Sequence, residues 1–392
     1  MKRPRIAFVV QRYGVEINGG AELHCRQLAE RLTDRYHVTV LTTCAKSYAT
    51  WENEYPAGES ELNGVTIRRF PCVCTRDGFP DLWYPATAQS AYGFANDMNW
   101  MMQQGPVSFE LIQFLKYNRE QFDVFLFFTY LYFTTYAGLL TVPEKSILIP
   151  TAHDEPPIYR DIFRSVFHLP KGVFYNTQEE KNFVKNRFHH HPLFEEIGGV
   201  GVELPQDISS KRFRNKYGIE SPFLLYVGRI TEKKGCHMLF DYFAKMKERS
   251  ERPLKLVLMG TGELKPPERE DIISLGFVSD QDKFDGMSAS SFLVIPSFYE
   301  SLSMVLLEAM SLEIPVLCNG ACQVLKEHCR KSNGGIYFQN FEEFVQGTDY
   351  LLAHGAELGR NGKQYVQNAY RWDMIIEKIS YMIEQVRELN YE

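Results

Sequence analysis

Short apolar runs alternate with segments of helical apolar spacing along the whole chain. In the first half, such runs predict strands at 5–10, 37–43, 64–70, 124–128, 146–150, 174–176 and 195–197. In the second half, they predict strands at 223–227, 255–259, 272–278, 291–295, 314–318 and 335–338. The intervening segments predict helices, including 21–32, 178–187, 236–248, 304–310 and 372–389. Strands that alternate with helices predict an α/β protein with parallel sheets and right-handed crossovers.

A glycine-rich stretch at 198–205 separates the two series of strands and is a candidate hinge. A chain of 392 residues is too long for one hydrophobic core. We therefore expect two domains of ordinary size that divide near residue 200.

Charge and cysteine content exclude several classes of protein. The net charge is −6 and the basic residues are spread through both halves, so nucleic acid is not an expected partner. No apolar run approaches the roughly 18 residues of a membrane span, and the start of the chain does not resemble a signal peptide, so we expect a cytoplasmic protein. The 8 cysteines include no C-x-x-C pair, which predicts free thiols.

The segment 294–318 predicts a strand, a loop, a helix and a second strand, with two carboxylates placed for binding. Glu300 precedes the helix and Glu308 lies within it, eight positions later, a span of roughly 10 Å at about 1.5 Å per helical residue. Between them, Ser301 to Ser303 supply free N–H groups at a helix start, which favour an anion such as a phosphate. Alternatively, both glutamates are satisfied by salt bridges.

Basic residues follow the strand predicted at 223–227. Gly228 and Arg229 come directly after it, and Lys234 precedes the helix predicted at 236–248. Arg offers a planar fork of donors and Lys a point charge, and both suit phosphate. Because a cation at a helix N-terminus is unfavourable by itself, an anionic ligand there would help to explain Lys234.

Two features of the first half lie where ligands bind in parallel sheets, after the carboxyl ends of strands. Gly19 and Gly20 follow the first strand and precede a helix, and paired glycines permit a positive φ and a close backbone approach. Alternatively, they form a flexible turn. His153 follows the strand predicted at 146–150, where it serves either a ligand or the local backbone.

These motifs together resemble one family, the retaining, nucleotide-sugar-dependent glycosyltransferases of family four. The matching stretches are Glu300-Ser-Leu-Ser-Met-Val-Leu-Leu-Glu308, Gly19-Gly20-Ala21-Glu22, and Gly228-Arg229 with Lys234-Gly235. Leu302 and Ser303 stand where that family has an aromatic residue and a glycine. The resemblance implies the GT-B fold, in which two Rossmann-like domains face each other across a cleft. It also implies that the last helix returns to the first domain, giving domains of 1–200 with 372–392 and of 201–371.

The resemblance implies a role for each matched residue. Glu300 would contact the donor sugar, Glu308 the ribose, and Arg229 with Lys234 the diphosphate, while His153 would lie on the far side of the sugar. The remaining implied contacts are those of Gly228, Ser301, Leu302 and Ser303 with the donor phosphates, of Phe277 with the nucleotide base, and of Gly19, Gly20 and Glu22 on the acceptor side. Glu300, His153, Arg229 and Lys234 would form the catalytic set.

Two other patterns have competing interpretations. Asp280 and Asp282 match the D-x-D of metal-dependent glycosyltransferases, but Ser279 followed by an acid three residues later is a helix N-cap pattern, which we favour. We therefore expect no metal and no cofactor. The aromatic segment 79–102 predicts mainly buried helices, with an acceptor or lipid surface as the alternative. The histidines at 189–191 favour a solvated loop over a metal site.

The function expected from the resemblance is transfer of a hexose from a nucleotide diphosphate to an acceptor hydroxyl, with retention. The acceptor would be a glycan or a lipid-linked molecule of bacterial surface polysaccharide or glycolipid assembly, with possible peripheral contact to the membrane. A nucleotide-sugar epimerase of the same shape would need an acid/base pair instead. A catalytically silent binding subunit would keep the fold without transfer.

Overall fold

The computed structural model describes residues 3–76, 93–250 and 252–389, and the chain divides into two compact units. The first unit comprises Met1–Val200 and Asp373–Glu392, and the second comprises Gly201–Trp372. Each unit contains one twisted sheet with helices packed against it.

The first unit contains an eight-stranded sheet of order β3-β4-β2-β1-β5-β6-β7-β8. Its strands are β1 (Arg5–Val9), β2 (His37–Thr43), β3 (Gly58–Leu62), β4 (Val65–Phe70), β5 (Val124–Phe128), β6 (Ser146–Ile149), β7 (Gly172–Tyr175) and β8 (Phe194–Ile197). Its helices are α1 (Gly20–Leu32), α2 (Phe94–Gln104), α3 (Phe109–Asn118), α4 (Phe133–Thr141), α5 (Phe163–His168), α6 (Gln178–Phe188) and α13 (Trp372–Glu388). All strand pairs are parallel except β3 with β4.

Helices cover both faces of this sheet, so its central strands are apolar throughout. All five residues of β5 are buried. On one face, Phe125 and Phe127 join a core that includes Leu115 of α3 and Phe163 of α5. This double coverage is the usual reason that parallel strands read as continuous apolar runs.

The last helix, α13, packs within the first unit. The Nζ of Lys378 donates to the carbonyl of Ile197 at 2.6 Å, and Tyr36 donates to Glu384 at 3.1 Å. A Cβ at Gly172 would lie 3.1 Å from the sulfur of Met382, so the helix lies directly over β7. The C-terminal segment thus contributes to the fold of the first unit.

The second unit contains a six-stranded parallel sheet of order β11-β10-β9-β12-β13-β14. Its strands are β9 (Phe223–Val227), β10 (Lys255–Met259), β11 (Ile272–Ser274), β12 (Phe292–Ile295), β13 (Val316–Asn319) and β14 (Gly335–Phe338). Its helices are α7 (Ser210–Tyr217), α8 (Cys236–Glu248), α9 (Asp280–Ala289), α10 (Met304–Ser311), α11 (Gln323–Ser332) and α12 (Phe341–Ala369). The strand order reverses direction between β9 and β12, and such switch points hold ligands in open α/β sheets.

The α/β fold expected from the apolar pattern is confirmed, with local corrections. The strand expected at 272–278 ends at Ser274. Strand β3 was not predicted, because four of its five residues are polar or glycine. Its hairpin with β4 turns at Asn63 and Gly64, both at positive φ, and Asn-Gly is the strongest short hairpin signal.

The structure also tests the expected burial of the aromatic segment, the expected exposure of the histidines, the state of the cysteines and the absence of a membrane span. In the aromatic segment 79–102, Trp100 and Met101 are buried and Phe94 is exposed, whereas residues 77–92, including Trp83, Tyr84 and Tyr92, lie outside the described residues. The solvated loop expected at 189–191 is wrong for its middle residue, because His190 is buried beside His168. The eight cysteines are free thiols, as expected. No helix in the described part of the chain has the length and apolar content needed to span a membrane.

Candidate functional site

In the second unit, the loops that follow β9 and β12 leave the same edge of the sheet, because these two strands are parallel neighbours. The first loop carries Arg229 and Lys234, and the second carries Glu300. The Nζ of Lys234 donates to Oε1 of Glu300 at 2.6 Å, and these side chains are 28% and 15% exposed. The sheet thus joins two charged residues that are far apart in sequence.

The loop after β9 is fixed by its own backbone. Gly235 is the N-cap of α8 with φ +72°, and a Cβ there would lie 2.1 Å from the carbonyl oxygen of Pro296, so only glycine fits. Thr231 Oγ1 accepts from the N–H of Lys234 at 3.2 Å, and Tyr226 donates to the carbonyl of Arg229 at 2.6 Å. These contacts set the direction in which Arg229 and Lys234 leave the backbone.

The loop after β12 ends at the N-terminus of α10. The helix begins at Met304, and its N-cap Ser303 has φ +70°. Within residues 3–76, 93–250 and 252–389, the backbone N–H groups of Ser303, Met304 and Val305 have no hydrogen-bond acceptor. Helix starts of this kind favour an anionic ligand. Ser303 belongs to the expected span 301–303, and Met304 and Val305 follow it directly.

Inside α10, Glu308 forms an ion pair whose partner the sequence did not indicate. Lys283 of α9 donates to Oε1 of Glu308 at 2.9 Å, and the two side chains are 17% and 14% exposed. Burial raises the pKa of Glu308, and the charge of Lys283 opposes that shift. Salt-bridged glutamates were the alternative interpretation of this motif, and in this structure both Glu300 and Glu308 are paired with lysine.

Partial burial of a carboxylate costs desolvation free energy, and the fold alone does not require a carboxylate at these positions. A partly buried ion pair offers little net stability compared with an apolar pair of the same volume. Two such pairs, Lys234 with Glu300 and Lys283 with Glu308, include the glutamates that precede and follow the free N–H groups of α10 in the sequence. The arrangement is therefore typical of a site for a polar, anionic ligand with hydroxyl groups.

The aspartates of the D-x-D pattern belong to a helix start. The side chain of Ser279 accepts from the N–H of Asp282 at 3.1 Å, so the N-cap interpretation is confirmed. Asp282 also accepts from Lys216 at 2.8 Å, and Asp280 lies 3.6 Å from Lys283. The helix start and Lys216 therefore account for the carboxylate of Asp282, whereas the side chain of Asp280 is 90% exposed.

The backbone near the expected base site leaves one large side chain exposed. Phe277 is 70% exposed. The carbonyl of the preceding Gly276 accepts from the N–H of Gly260 at 2.7 Å, which ties this turn to the end of β10. A Cβ at Gly260 would lie 1.9 Å from the carbonyl oxygen of Gly228, so the turns after β9 and β10 are in close contact.

In the first unit, His153 lies just beyond β6, as predicted. Its ring is 26% exposed, and Nδ1 lies 3.1 Å from Oε1 of the buried Glu155. Tyr130 donates to the same carboxylate at 2.6 Å. This carboxylate therefore accepts a hydrogen bond from Tyr130 and lies beside the ring of His153.

A second buried carboxylate, Glu180 at the start of α6, supports the same edge. It accepts from the N–H groups of Ala152 and of Asn176, the latter at 2.6 Å, and so links the ends of β6 and β7. Burial raises the pKa of Glu180 to about 8, against the effect of these N–H donors and of His153. The pattern Thr177-x-x-Glu180 is a capping-box signal that sequence reasoning overlooked.

The glycine pair requires a correction. Gly19 is the N-cap of α1 with φ −71°, and Gly20 is the first helical residue, so neither needs the positive φ that was expected. A Cβ at Gly19 would lie 2.1 Å from Oε2 of Glu22, so a larger residue there would displace that side chain. Glu22 itself is 6% exposed and ion-paired with Arg12, and this pair supports the loop from within.

The tertiary structure thus brings some of the predicted site residues into contact. In the second unit, Lys234 meets Glu300, and Arg229, Gly228, Ser301, Leu302, Ser303, Glu308 and Phe277 lie on the strand-end loops or on the helix that follows them. His153, Gly19, Gly20 and Glu22 belong to the first unit. The sequence analysis did not identify Lys283 or Glu180. The signal for Lys283 was its position four residues after the N-cap Ser279, and the signal for Glu180 was the capping box with Thr177.

The left-handed conformation of Ser303 leads to a stability prediction. A left-handed backbone costs a non-glycine residue roughly 1 to 2 kcal/mol, and the buried Oγ of Ser303 has no hydrogen-bond partner in the described structure. After the entropy cost of glycine, Ser303→Gly is expected to stabilise the protein by about 0.5 to 1 kcal/mol, measured by denaturant or thermal unfolding. Ser301→Gly is the control and should destabilise it. Equal losses for both variants would show that Ser303 is not strained.

Comparison with known proteins gives three consistent likenesses. Residues 221–354 match the family model of the group 1 glycosyl transferases. An uncharacterized glycosyltransferase of Methanocaldococcus jannaschii is 28% identical over 404 residues, which cover 95% of each protein. The amylovoran biosynthesis glycosyltransferase AmsD of Erwinia amylovora is 26% identical over 223 residues, which cover 54% of this chain and 62% of AmsD.

Among solved structures, HepE of Anabaena in complex with UDP and glucose has the same fold. The TM-score is 0.70 at 15% identity, with 97% of this chain and 99% of the HepE chain covered. The fold is therefore shared over nearly the whole of both chains.

Proposed function

We propose that this chain transfers a hexose, with retention, from a nucleotide diphosphate to an acceptor hydroxyl. The premise is that it is a group 1 glycosyltransferase with the GT-B fold. The observation that carries this proposal is the Lys234–Glu300 pair beside the free N–H groups of α10. A nucleotide diphosphate sugar has a doubly charged centre with hydroxyl groups on both sides, which matches this distribution of donors and acceptors. HepE, which has the same fold, was crystallised with UDP and glucose.

In this proposal, Lys234 changes partner during the reaction. Without a donor, its ammonium group is satisfied by Glu300 at 2.6 Å. With a donor bound, Lys234 and Arg229 face the diphosphate, and Glu300 accepts hydrogen bonds from hydroxyls of the sugar. The pair keeps both side chains in place beforehand, and such preorganisation lowers the cost of reaching the transition state.

Negative charge develops on the leaving diphosphate as the glycosidic bond breaks. Arg229, Lys234 and the N–H groups of Ser303 to Val305 are the groups assigned to stabilise it. Because these donors belong to the protein, we propose that transfer does not require a metal ion. Glu308 would accept hydrogen bonds from the ribose, and Lys283 would favour the ionised form of this carboxylate at neutral pH.

The first unit is assigned to the acceptor and to the far side of the sugar. We assign His153, whose Nδ1 lies 3.1 Å from Glu155, to a hydroxyl of the transferred sugar, and the backbone at Gly19 and Gly20 to the acceptor side. A Cβ at Gly20 would meet no atom within 4 Å, so this backbone has open space beside it. The similarity to AmsD supports an acceptor from surface polysaccharide or glycolipid assembly.

The direct test is incubation of the protein with a panel of UDP- and GDP-hexoses and with glycan and lipid-linked acceptors. Product analysis by mass spectrometry and NMR would identify the linkage and the anomeric configuration. A product with the anomeric configuration of the donor supports retention, and an inverted product contradicts it. Conversion of the donor to an isomeric nucleotide sugar without an acceptor would instead identify an epimerase.

Metal independence gives a separate prediction. With the donor identified, turnover is expected to be the same within about twofold in excess EDTA and in added Mg²⁺ or Mn²⁺, because the donors that stabilise the diphosphate are side chains and backbone N–H groups. Initial rates in both conditions measure this. Loss of turnover in EDTA with recovery on adding Mn²⁺ would contradict metal independence and would favour Asp280 and Asp282 as metal ligands.

A further inference from the structure

A buried histidine lies behind the loop that leads into α10. His328, on α11, is 3% exposed, and its Nε2 is 2.9 Å from the carbonyl oxygen of Leu302. Its Nδ1 is 3.0 Å from the hydroxyl of Tyr365 on α12. The Tyr365 hydroxyl is 3.3 Å from that of Tyr370, which follows the same helix. His328 therefore connects the loop to two other parts of the unit.

The chemistry of these groups fixes where the protons lie. A carbonyl oxygen can only accept, so Nε2 of His328 carries the proton and donates it to Leu302. Burial lowers the pKa of His328 to about 4, so the ring is neutral at pH 7 and Nδ1 is an acceptor. The hydroxyl of Tyr365 must then donate to Nδ1. The contact with Leu302 is thus directional and does not require a charged ring.

The peptide bond transmits this contact to the next residue. In a trans peptide, the carbonyl of one residue and the N–H of the following residue point in opposite directions. With the Leu302 carbonyl held towards α11, the N–H of Ser303 points away from α11. This N–H has no acceptor among the described residues, and Ser303 stays in a strained left-handed conformation that something must hold in place.

We infer that His328 is a positioning residue for nucleotide diphosphate binding: by holding the Leu302 carbonyl, it orients the Leu302–Ser303 peptide so that the Ser303 N–H faces the diphosphate. The inference rests on the proposed function, because it takes the ligand at α10 to be a diphosphate. His328 does not touch the ligand, and its effect is transmitted through the backbone.

A purely structural role predicts a different result. If His328 only joins α11 to α12, its replacement would lower stability while folded molecules kept their affinity for every ligand. If it positions the peptide, affinity for a diphosphate should fall much more than affinity for the matching nucleoside, because the nucleoside does not reach these N–H groups. Glutamine places a side-chain amide N–H near the position of Nε2 and should therefore restore the contact.

The experiment uses the full chain with His328→Leu, His328→Gln and, as a matched control, His354→Leu, which changes an exposed histidine on α12. Calorimetric titration at pH 7 with UDP and with uridine is carried out below the unfolding temperature of every variant. GDP and guanosine replace them if the wild type does not bind UDP. We expect His328→Leu to weaken diphosphate binding by about tenfold or more and nucleoside binding by less than about twofold, the scale for a single lost contact. His328→Gln should recover most of the loss, and His354→Leu should match the wild type.

Amide hydrogen exchange without ligand provides a second measurement. The N–H groups of Leu306 and Leu307 donate to the carbonyl of Ser303 at 3.1 and 3.4 Å, so their protection reports on the start of α10. Exchange in His328→Leu should be about tenfold faster there, with recovery in His328→Gln. Unchanged exchange and unchanged diphosphate affinity in His328→Leu would overturn the inference. A wild type that binds none of the nucleotides would overturn the proposed function, while exchange would still decide whether His328 holds the loop.

Discussion

Replacing Lys234 or Arg229 with alanine is expected to lower kcat by about 10²- to 10³-fold, a change of roughly 2.7 to 4 kcal/mol in the barrier. Both residues are assigned to the diphosphate, where charge increases as the glycosidic bond breaks. An interaction that strengthens in the transition state affects kcat more than the donor KM. Steady-state kinetics with the identified donor separate the two parameters.

The neighbouring lysine is the matched control. Lys233 is exposed on the same loop and has no assigned ligand, so Lys233→Ala should change kcat by less than about twofold. Lys234→Ala also leaves Glu300 without its 2.6 Å partner, whereas Arg229→Ala does not, so the two variants separate this secondary effect from loss of the phosphate contact. Equal, small effects at Lys233 and Lys234, with kcat unchanged in Arg229→Ala, would show that this loop is an ordinary basic surface.

Replacing Glu308 with alanine is expected to weaken nucleotide binding by about 1.5 to 3 kcal/mol, roughly 10- to 100-fold in Kd. The ribose hydroxyls would lose a charged acceptor, and Lys283, 17% exposed, would lose the carboxylate that now lies 2.9 Å away. Calorimetric titration with the nucleotide measures the loss. Glu308→Gln keeps the volume and one acceptor oxygen and should lose less.

A glutamate with similar surroundings provides the control for Glu308. Glu327 on α11 has a side chain that is 15% exposed and pairs with Arg330 at 2.7 Å, against 14% and 2.9 Å for Glu308. Glu327→Ala should leave nucleotide affinity unchanged. If Glu308→Ala also left the affinity unchanged, the assignment of Glu308 to the ribose would be wrong.

The pH dependence of binding follows from the same pair. Burial raises the pKa of Glu308 and Lys283 opposes this shift, so removal of Lys283 would raise it further. The ionised carboxylate, which accepts from the ribose, would then be lost at a higher pH as the solution is acidified. Nucleotide affinity in a Lys283 variant should therefore decrease earlier than in the wild type when the pH is lowered.

Much of the fold could be predicted from the sequence because its signals are local. Central parallel strands such as Val124–Phe128 and Phe223–Val227 are covered on both faces, so they are apolar throughout and their bounds can be read directly. The helix start at Ser279 was equally clear, because its side chain caps the backbone. The edge strand Gly58–Leu62 was missed because it is exposed and polar, and its only signal was the Asn63-Gly64 turn.

By itself, the sequence determined the α/β class, the two series of strands and the positions of Glu300, Glu308, Arg229, Lys234 and His153 after strands or within a helix. These follow from periodicity and from motif spacing, which are properties of neighbouring residues. Only the tertiary structure decided which side chains meet: Lys234 with Glu300, Lys283 with Glu308, and His328 with the Leu302 carbonyl. Those contacts join residues 66, 25 and 26 positions apart. They depend on strand order and helix packing, which bring distant parts of the chain together and leave no periodic signal in the sequence.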